Sequence, residues 1–236
     1  MDTPLTPTSK GGATPSSGSD RLPRFGLTER TLHWTHAVVF LVLVITGAAI
    51  LFPFLAASIA DRELVRAVHI TAGFGLVLAP VAIALAGNRR AVRRDLADVD
   101  RWEEDDWLWL RGWSYYRYGR RMPPPQGRLN AGQKVNAVFT GACIVLFFVT
   151  GVMMWKWFYF PRWLVENAGG LHDVLSALAV AVWLGHVYMA LLNPSTRESI
   201  RGMTVGWVRR AWAVEHHEKW VDELDRPSSP GDAERP

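Results

Sequence analysis

The sequence predicts an all-α protein, a four-helix transmembrane bundle with both termini on the cytoplasmic side. Lys, Arg, Asp and Glu are absent from Thr31 to Ala60, Ala67 to Asn88, Val135 to Trp155 and Val174 to Thr196, and each run is long enough for a helix to cross about 30 Å of hydrocarbon. The 236 residues are 49% hydrophobic and include twelve tryptophans, too apolar a composition for an ordinary soluble domain. Of 26 Lys and Arg, 22 fall in the N-terminal segment, the segment between the second and third runs, and the C-terminal segment. Those three segments share one side if the chain crosses four times, and an excess of basic residues marks the cytoplasmic side.

The predicted membrane helices are Thr31 to Phe52, Val65 to Gly87, Ala131 to Trp157 and Gly170 to Leu192. Residues 1–20 have the Thr, Ser, Pro and Gly content of a disordered tail and lack the apolar core of a cleavable signal peptide. Residues 21–193 form the membrane domain, with a cytoplasmic interfacial loop over 89–130, and residues 194–236 form a cytoplasmic C-terminal tail. The only cysteine, Cys143, lies mid-helix. A disulfide, a CxxC cluster motif and a CxxCH haem attachment are thereby excluded within the chain, so any haem is held noncovalently.

The fourth helix is the most informative. His172 stands near its first turn and His186 near its last, and fourteen residues advance about 1400° and rise about 21 Å. Both imidazoles therefore share one face, near opposite edges of the bilayer. Ionisable side chains at such depths pair, bind metal or line a polar path.

The first helix opens with Arg30-Thr-Leu-His-Trp-Thr-His36, which places His33 level with His186. His36, one turn on and about 60° away, is its rival. Gly47 follows His33 by the same fourteen-residue interval, where a missing side chain leaves room either for a flat cofactor or for close helix packing. The second helix brings in His69 from the periplasmic side, level with His172, with Gly73 one turn on. Four histidines thus form two depth-matched pairs, His33 with His186 and His69 with His172, each drawn from two helices. Two bis-histidine haem sites stacked across the membrane account for the pattern economically. Zinc accounts for it less well, because it normally takes three or four protein ligands.

The third helix has no histidine. Asn130 suits its N-cap, and the amides of Asn130 and Gln133 stand at the depth of the cytoplasmic haem, where a quinone carbonyl needs a donor. Cap and quinone roles are compatible. In the connector from Arg89 to Asn130, the abundance of Trp102, Trp107, Trp109, Trp113, Tyr115, Tyr116 and Tyr118 suggests an interfacial segment. The run Glu103-Glu-Asp-Asp106 reads as a solvated surface, and Pro123-Pro-Pro125 stops regular structure. His216 and His217 lie beyond the spans and read as surface or subunit-contact residues.

These motifs resemble the membrane cytochrome b (gamma) subunit of respiratory formate dehydrogenase, within the group that includes cytochrome b561 and nickel-iron hydrogenase cytochrome b. The matching stretches are Arg30 to Trp34, Arg66 to Gly73, Asn130 to Lys134, Thr150-Gly-Val152, His172, Gly185 to Ala190, and Ser199-Ile-Arg-Gly-Met203 through His216-His217 to Trp220. Ile70 stands where some of those relatives have proline. The resemblance implies two haem b, with His33 and His186 on the cytoplasmic iron and His69 and His172 on the periplasmic one. A quinone, menaquinone or ubiquinone, is implied near Asn130 and Gln133.

The resemblance also implies a multi-pass subunit of the bacterial inner membrane, assembled with an iron-sulfur beta subunit and a catalytic alpha subunit, with a higher oligomer of the complex as an option. Electrons would pass from the periplasmic partner to quinone. No residue resembles a molybdenum, tungsten or iron-sulfur ligand set, so no formate chemistry and no catalytic residue is assigned to this chain, and no nucleic acid is expected as a partner. Two other readings are a cytochrome b serving a hydrogenase or another molybdoenzyme, and a haem-free membrane anchor.

Overall fold

The computed structural model describes residues 20–52, 54, 61–112 and 124–226. Helix α1 (Leu27–Leu51) opens where the Glu29 carboxylate accepts the Gly26 N–H at 2.6 Å, and it ends at Phe52, ahead of Pro53, as the residue before a proline leaves the helical region. Helix α2 (Arg62–Ala86) starts on an Asp61 cap, the carboxylate accepting Glu63 N–H at 3.2 Å. Asn88 caps α3 (Arg89–Asp100) through Arg90 and Ala91 N–H, and α4 (Glu104–Arg111) follows. Helix α5 runs Ala131–Trp155 and α6 runs Arg162–Val187, prolonged by a π turn over Tyr188–Leu192.

Helices α1, α2, α5 and α6 are each long and apolar enough to cross a membrane. Leu78, Leu85, Val145 and Val174 are exposed on them, as suits helices solvated by lipid, whose backbone bonds are satisfied internally. The element boundaries differ from expectation in one direction. Helix α6 begins at Arg162 rather than Gly170, because Pro161 suits a helix start and Arg162 bonds Glu166 one turn on at 2.7 Å. His172 therefore lies in the third turn, and the charged residues that bounded the apolar run are helical too.

Helix α1 packs on α2, α5 on α6, and α2 on α5, so the bundle is two antiparallel hairpins side by side. Its terminal end carries the described N- and C-terminal segments, and its loop end carries the two short connections. At the terminal end, β1 (Arg21–Pro23) pairs antiparallel with β2 (Trp207–Arg209), Leu22 opposite Val208. Gly206, at φ +87°, turns the chain there and accepts Arg24 N–H at 2.8 Å, and an added Cβ would meet Phe25 O at 2.9 Å.

Around this ladder, the short helix α7 (Ile200–Thr204), α8 (Arg210–His216) and α9 (Glu218–Asp225) form a cap. Its core is Leu22, Val208, Trp212, Ala213, Trp220 and Val221. The segment from residue 194 is thus folded through Arg226 and interlocked with the start of the chain.

The acidic run is only partly a solvated face: Glu103 and Glu104 are exposed, but the other two acids face inward. Asp106 and Lys134 form a buried pair at 2.7 Å that holds α4 to α5, and Lys219 of α9 bridges Glu103 and Asp105 at 2.5 and 2.6 Å. Residues 1–19, Trp113, Tyr115, Tyr116, Tyr118 and Pro123 lie outside the described residues.

Candidate functional site

The four predicted histidines meet as two pairs. The His33 and His186 rings, from α1 and α6, face each other near the terminal end with centroids 6.2 Å apart. Those of His69 and His172, from α2 and α6, face each other towards the loop end with centroids 6.4 Å apart. One metal ion held by two opposed imidazoles at about 2 Å per nitrogen sets the ring centres about 6 Å apart, so both gaps fit a bis-histidine iron. His36 stacks on Phe40 instead, with ring planes 12° apart. Among the described residues, no three His, Cys, Asp or Glu converge as a metal-holding group.

The hydrogen bonds of the loop-end pair bear on which ring nitrogen carries the proton. The Thr46 hydroxyl donates to Val42 O at 2.7 Å and lies 2.9 Å from His69 Nδ1. Thr150 repeats this, with Leu146 O at 2.7 Å and His172 Nδ1 at 2.8 Å. A hydroxyl has one proton, already given to the backbone, so each threonine oxygen accepts from an Nδ1–H and leaves Nε2 as the free lone pair. At the terminal end, His33 Nδ1 is buried without a partner among the described residues.

Each of these threonines is followed by a glycine. A Cβ on Gly47 would approach His69 Cε1 to 3.3 Å, and one on Gly151 would stand 3.8 Å from His172 Cε1. At Gly47 the neighbour is therefore the edge of a histidine ring, which the missing side chain admits. Ile45-Thr-Gly47 and Val149-Thr-Gly151 are matching elements of the two hairpins, each with its histidine on the following helix.

Asn130 and Gln133 stand together on the first turn of α5 as a reciprocal cap. Asn130 Oδ1 accepts Gln133 N–H at 2.9 Å, and Gln133 Oε1 accepts Asn130 N–H at 3.0 Å and an Arg24 N–H at 3.3 Å. Their carbonyls are committed, while their NH2 groups donate to no described residue.

Sequence reading missed Arg24 and misplaced His217. His217 is buried to 1% exposure, not on the surface, and its Nδ1–H donates to Gly127 O at 2.7 Å while Nε2 accepts from Arg24 Nη2 at 2.9 Å. Burial first, and the Arg24 charge second, push His217 well below its usual range. Burial, with Arg128 adding, pushes Arg24 down to about 9, so it is still cationic at neutral pH. The faces of Phe25, Trp212 and Trp220 surround it. Arg128 is held charged by Asp95 and by Asp98 at 2.7 Å.

A four-helix membrane protein whose histidines face each other in pairs across the bundle belongs to the class that holds a metal cofactor between helices. The family can be given: the model of prokaryotic cytochrome b561 matches residues 24–206, and the chain belongs to that family, which implies haem b. Among similar proteins, the nitrate-inducible formate dehydrogenase cytochrome b556(Fdn) subunit of Escherichia coli K12 is 26% identical over 224 residues, 92% of this chain and 98% of the relative. The formate dehydrogenase cytochrome b556 subunit of Haemophilus influenzae is 28% identical over 214 residues, 88% of this chain and 85% of the relative. The cytochrome b556(fdo) subunit of Escherichia coli K12 formate dehydrogenase is 28% identical over 213 residues, 87% and 94% of the two chains.

Proposed function

We propose that the chain is the dihaem cytochrome b subunit of a formate dehydrogenase complex, passing electrons from a periplasmic iron-sulfur partner across the inner membrane to quinone near the cytoplasmic side. The observation that carries this reading is the facing of His33 with His186 and of His69 with His172, at 6.2 and 6.4 Å between ring centres, towards opposite ends of one bundle. The names of the relatives support membership of a formate dehydrogenase complex, the resemblance of the motifs supports the iron-sulfur partner, and the excess of Lys and Arg in the terminal-end segments supports the orientation.

A haem b bound at each pair would supply a one-electron iron couple. The chain's own residues do the rest. Helix α6 provides one ligand to each site and so fixes their separation along a single rigid element. His69 and His172 lie on the side of the donor, and His33 and His186 on the side of the acceptor. The unspent amide donors of Asn130 and Gln133 suit a quinone carbonyl, with Arg24 holding the Gln133 oxygen and so aiming its NH2 away from the cap.

The test is haem content and the reduced absorption spectrum of the purified protein. Two haems per chain with b-type bands are expected. His33→Ala or His186→Ala should remove one and spare the other, and His69→Ala or His172→Ala should do the converse. No stoichiometric iron would reduce the chain to an anchor. Retention of two haems by His33→Ala and His69→Ala would overturn the ligand assignment, and a hydrogenase recovered with the native complex would overturn the donor.

A further inference from the structure

The two histidine pairs are built differently on the side away from the gap. Both loop-end rings give their Nδ1–H to a threonine oxygen, at 2.9 and 2.8 Å. Among the described residues, His33 Nδ1 at the terminal end is buried without a partner, and His186 makes no hydrogen bond through its ring. An acceptor behind a ligating imidazole fixes its tautomer and orientation and makes its other nitrogen a stronger donor to the metal. Each threonine hydroxyl also donates to its own helix, and this polarises the oxygen further as an acceptor.

We propose that Thr46 and Thr150 are positioning residues that lock His69 and His172 with Nε2 towards the gap and lower the reduction potential of the haem they share, relative to the same site without the hydroxyls. The proposal rests on the dihaem reading above. A more electron-rich ligand pair stabilises the oxidised iron, whereas the described residues give the terminal-end pair no such acceptors. The asymmetry inclines an electron entering at the loop end to continue towards His33 and His186.

The experiment is a potentiometric titration of both haem components, with electron paramagnetic resonance of the oxidised low-spin iron, on the full chain in its complex. The variants are Thr46→Val, Thr150→Val, Thr46→Ser and Thr150→Ser, with His69→Ala to identify the component. Valine keeps the shape and removes the hydroxyl; serine keeps the hydroxyl. Each valine variant should retain two haems and shift one component towards the reduced form by about tenfold at a fixed potential, which is about 59 mV for one electron. The other component should stay in place, the resonance of the shifted haem should change, and the serine variants should titrate as the parent does.

Valine variants that titrate like the parent, or serine variants that shift as valine does, overturn the proposal. If a valine variant loses the haem, the serine variant decides. Parental content and potential in serine uphold the hydroxyl's role, and loss in serine too assigns the effect to packing of the methyl group and overturns it. Two haems in His69→Ala would overturn the ligand reading itself, an outcome distinct from failure of the threonine variants alone.

Discussion

His217 shows how much one side chain's surroundings matter. Its folded form is neutral, because burial and the Arg24 charge hold it well below 6.5, whereas the unfolded chain titrates near that value. The sign follows: the unfolded state takes up a proton that the folded state refuses, so the stability it contributes is full above pH 6.5 and is lost as pH falls below it. Between about pH 6.5 and 5 the cap should weaken by up to about 1.4 kcal/mol per pH unit, read as faster hydrogen exchange of the β2 amides, and His217→Gln should flatten the dependence.

The four paired histidines were legible because a titratable group inside a charge-free membrane run is costly unless it pairs or binds metal. Thr46 and Thr150 were not, since a membrane threonine can satisfy its hydroxyl on its own helix, as both also do. Thr150 stood out only within the Thr150-Gly-Val152 stretch of the resemblance, and nothing marked Thr46. Two adjacent histidines in a polar segment carry no burial signal, and the groups that bury His217 include Arg24, from the other end of the chain.

At the scale of elements, the apolar runs located all four membrane helices, but not their starts, since α1 and α6 begin before the first apolar turn, through capped and ion-paired residues. The connector was the least legible part, because its structure depends on ion pairs between segments distant in sequence. Lys134 and Asp106 are both nearly fully buried and Lys134 also donates to Arg101 O at 2.7 Å. Removing one partner leaves a buried charge, so Asp106→Ala should cost about 3–5 kcal/mol in thermal or denaturant unfolding of the α4–α5 contact. The part-exposed Lys219 bridges are screened by solvent, and Lys219→Ala should cost less than about 1 kcal/mol. Replacing Lys134 and Asp106 together with apolar residues should restore much of the loss, a pattern that equal costs for the single and double changes would contradict.

For the whole molecule, the two histidine pairs lie towards opposite ends of one bundle. On the proposed function, an electron moving from the His69/His172 side to the His33/His186 side, with protons for quinone drawn from the cytoplasm, would transfer charge across the membrane without a pump. Each charge is worth about 2.3 kcal/mol per 100 mV, so turnover in proteoliposomes of the whole complex should build a potential and slow against it. A potential of opposite sign, or none, would contradict the proposed direction. The pairing of β1 with β2, Arg21 opposite Arg209, bears on how the chain is made. The first described strand has no partner until all four membrane helices have been synthesised and residues 207 to 209 have followed, which makes the cap a late, long-range closure. Protection of the Leu22 amide should therefore appear last during synthesis or refolding, and a chain stopped before Trp207 should leave Arg24 without the Trp212, His217 and Trp220 side chains that cover it. The N-terminal strand thus closes only after the last membrane helix has been made, so its protection dates the completion of the chain through Arg209.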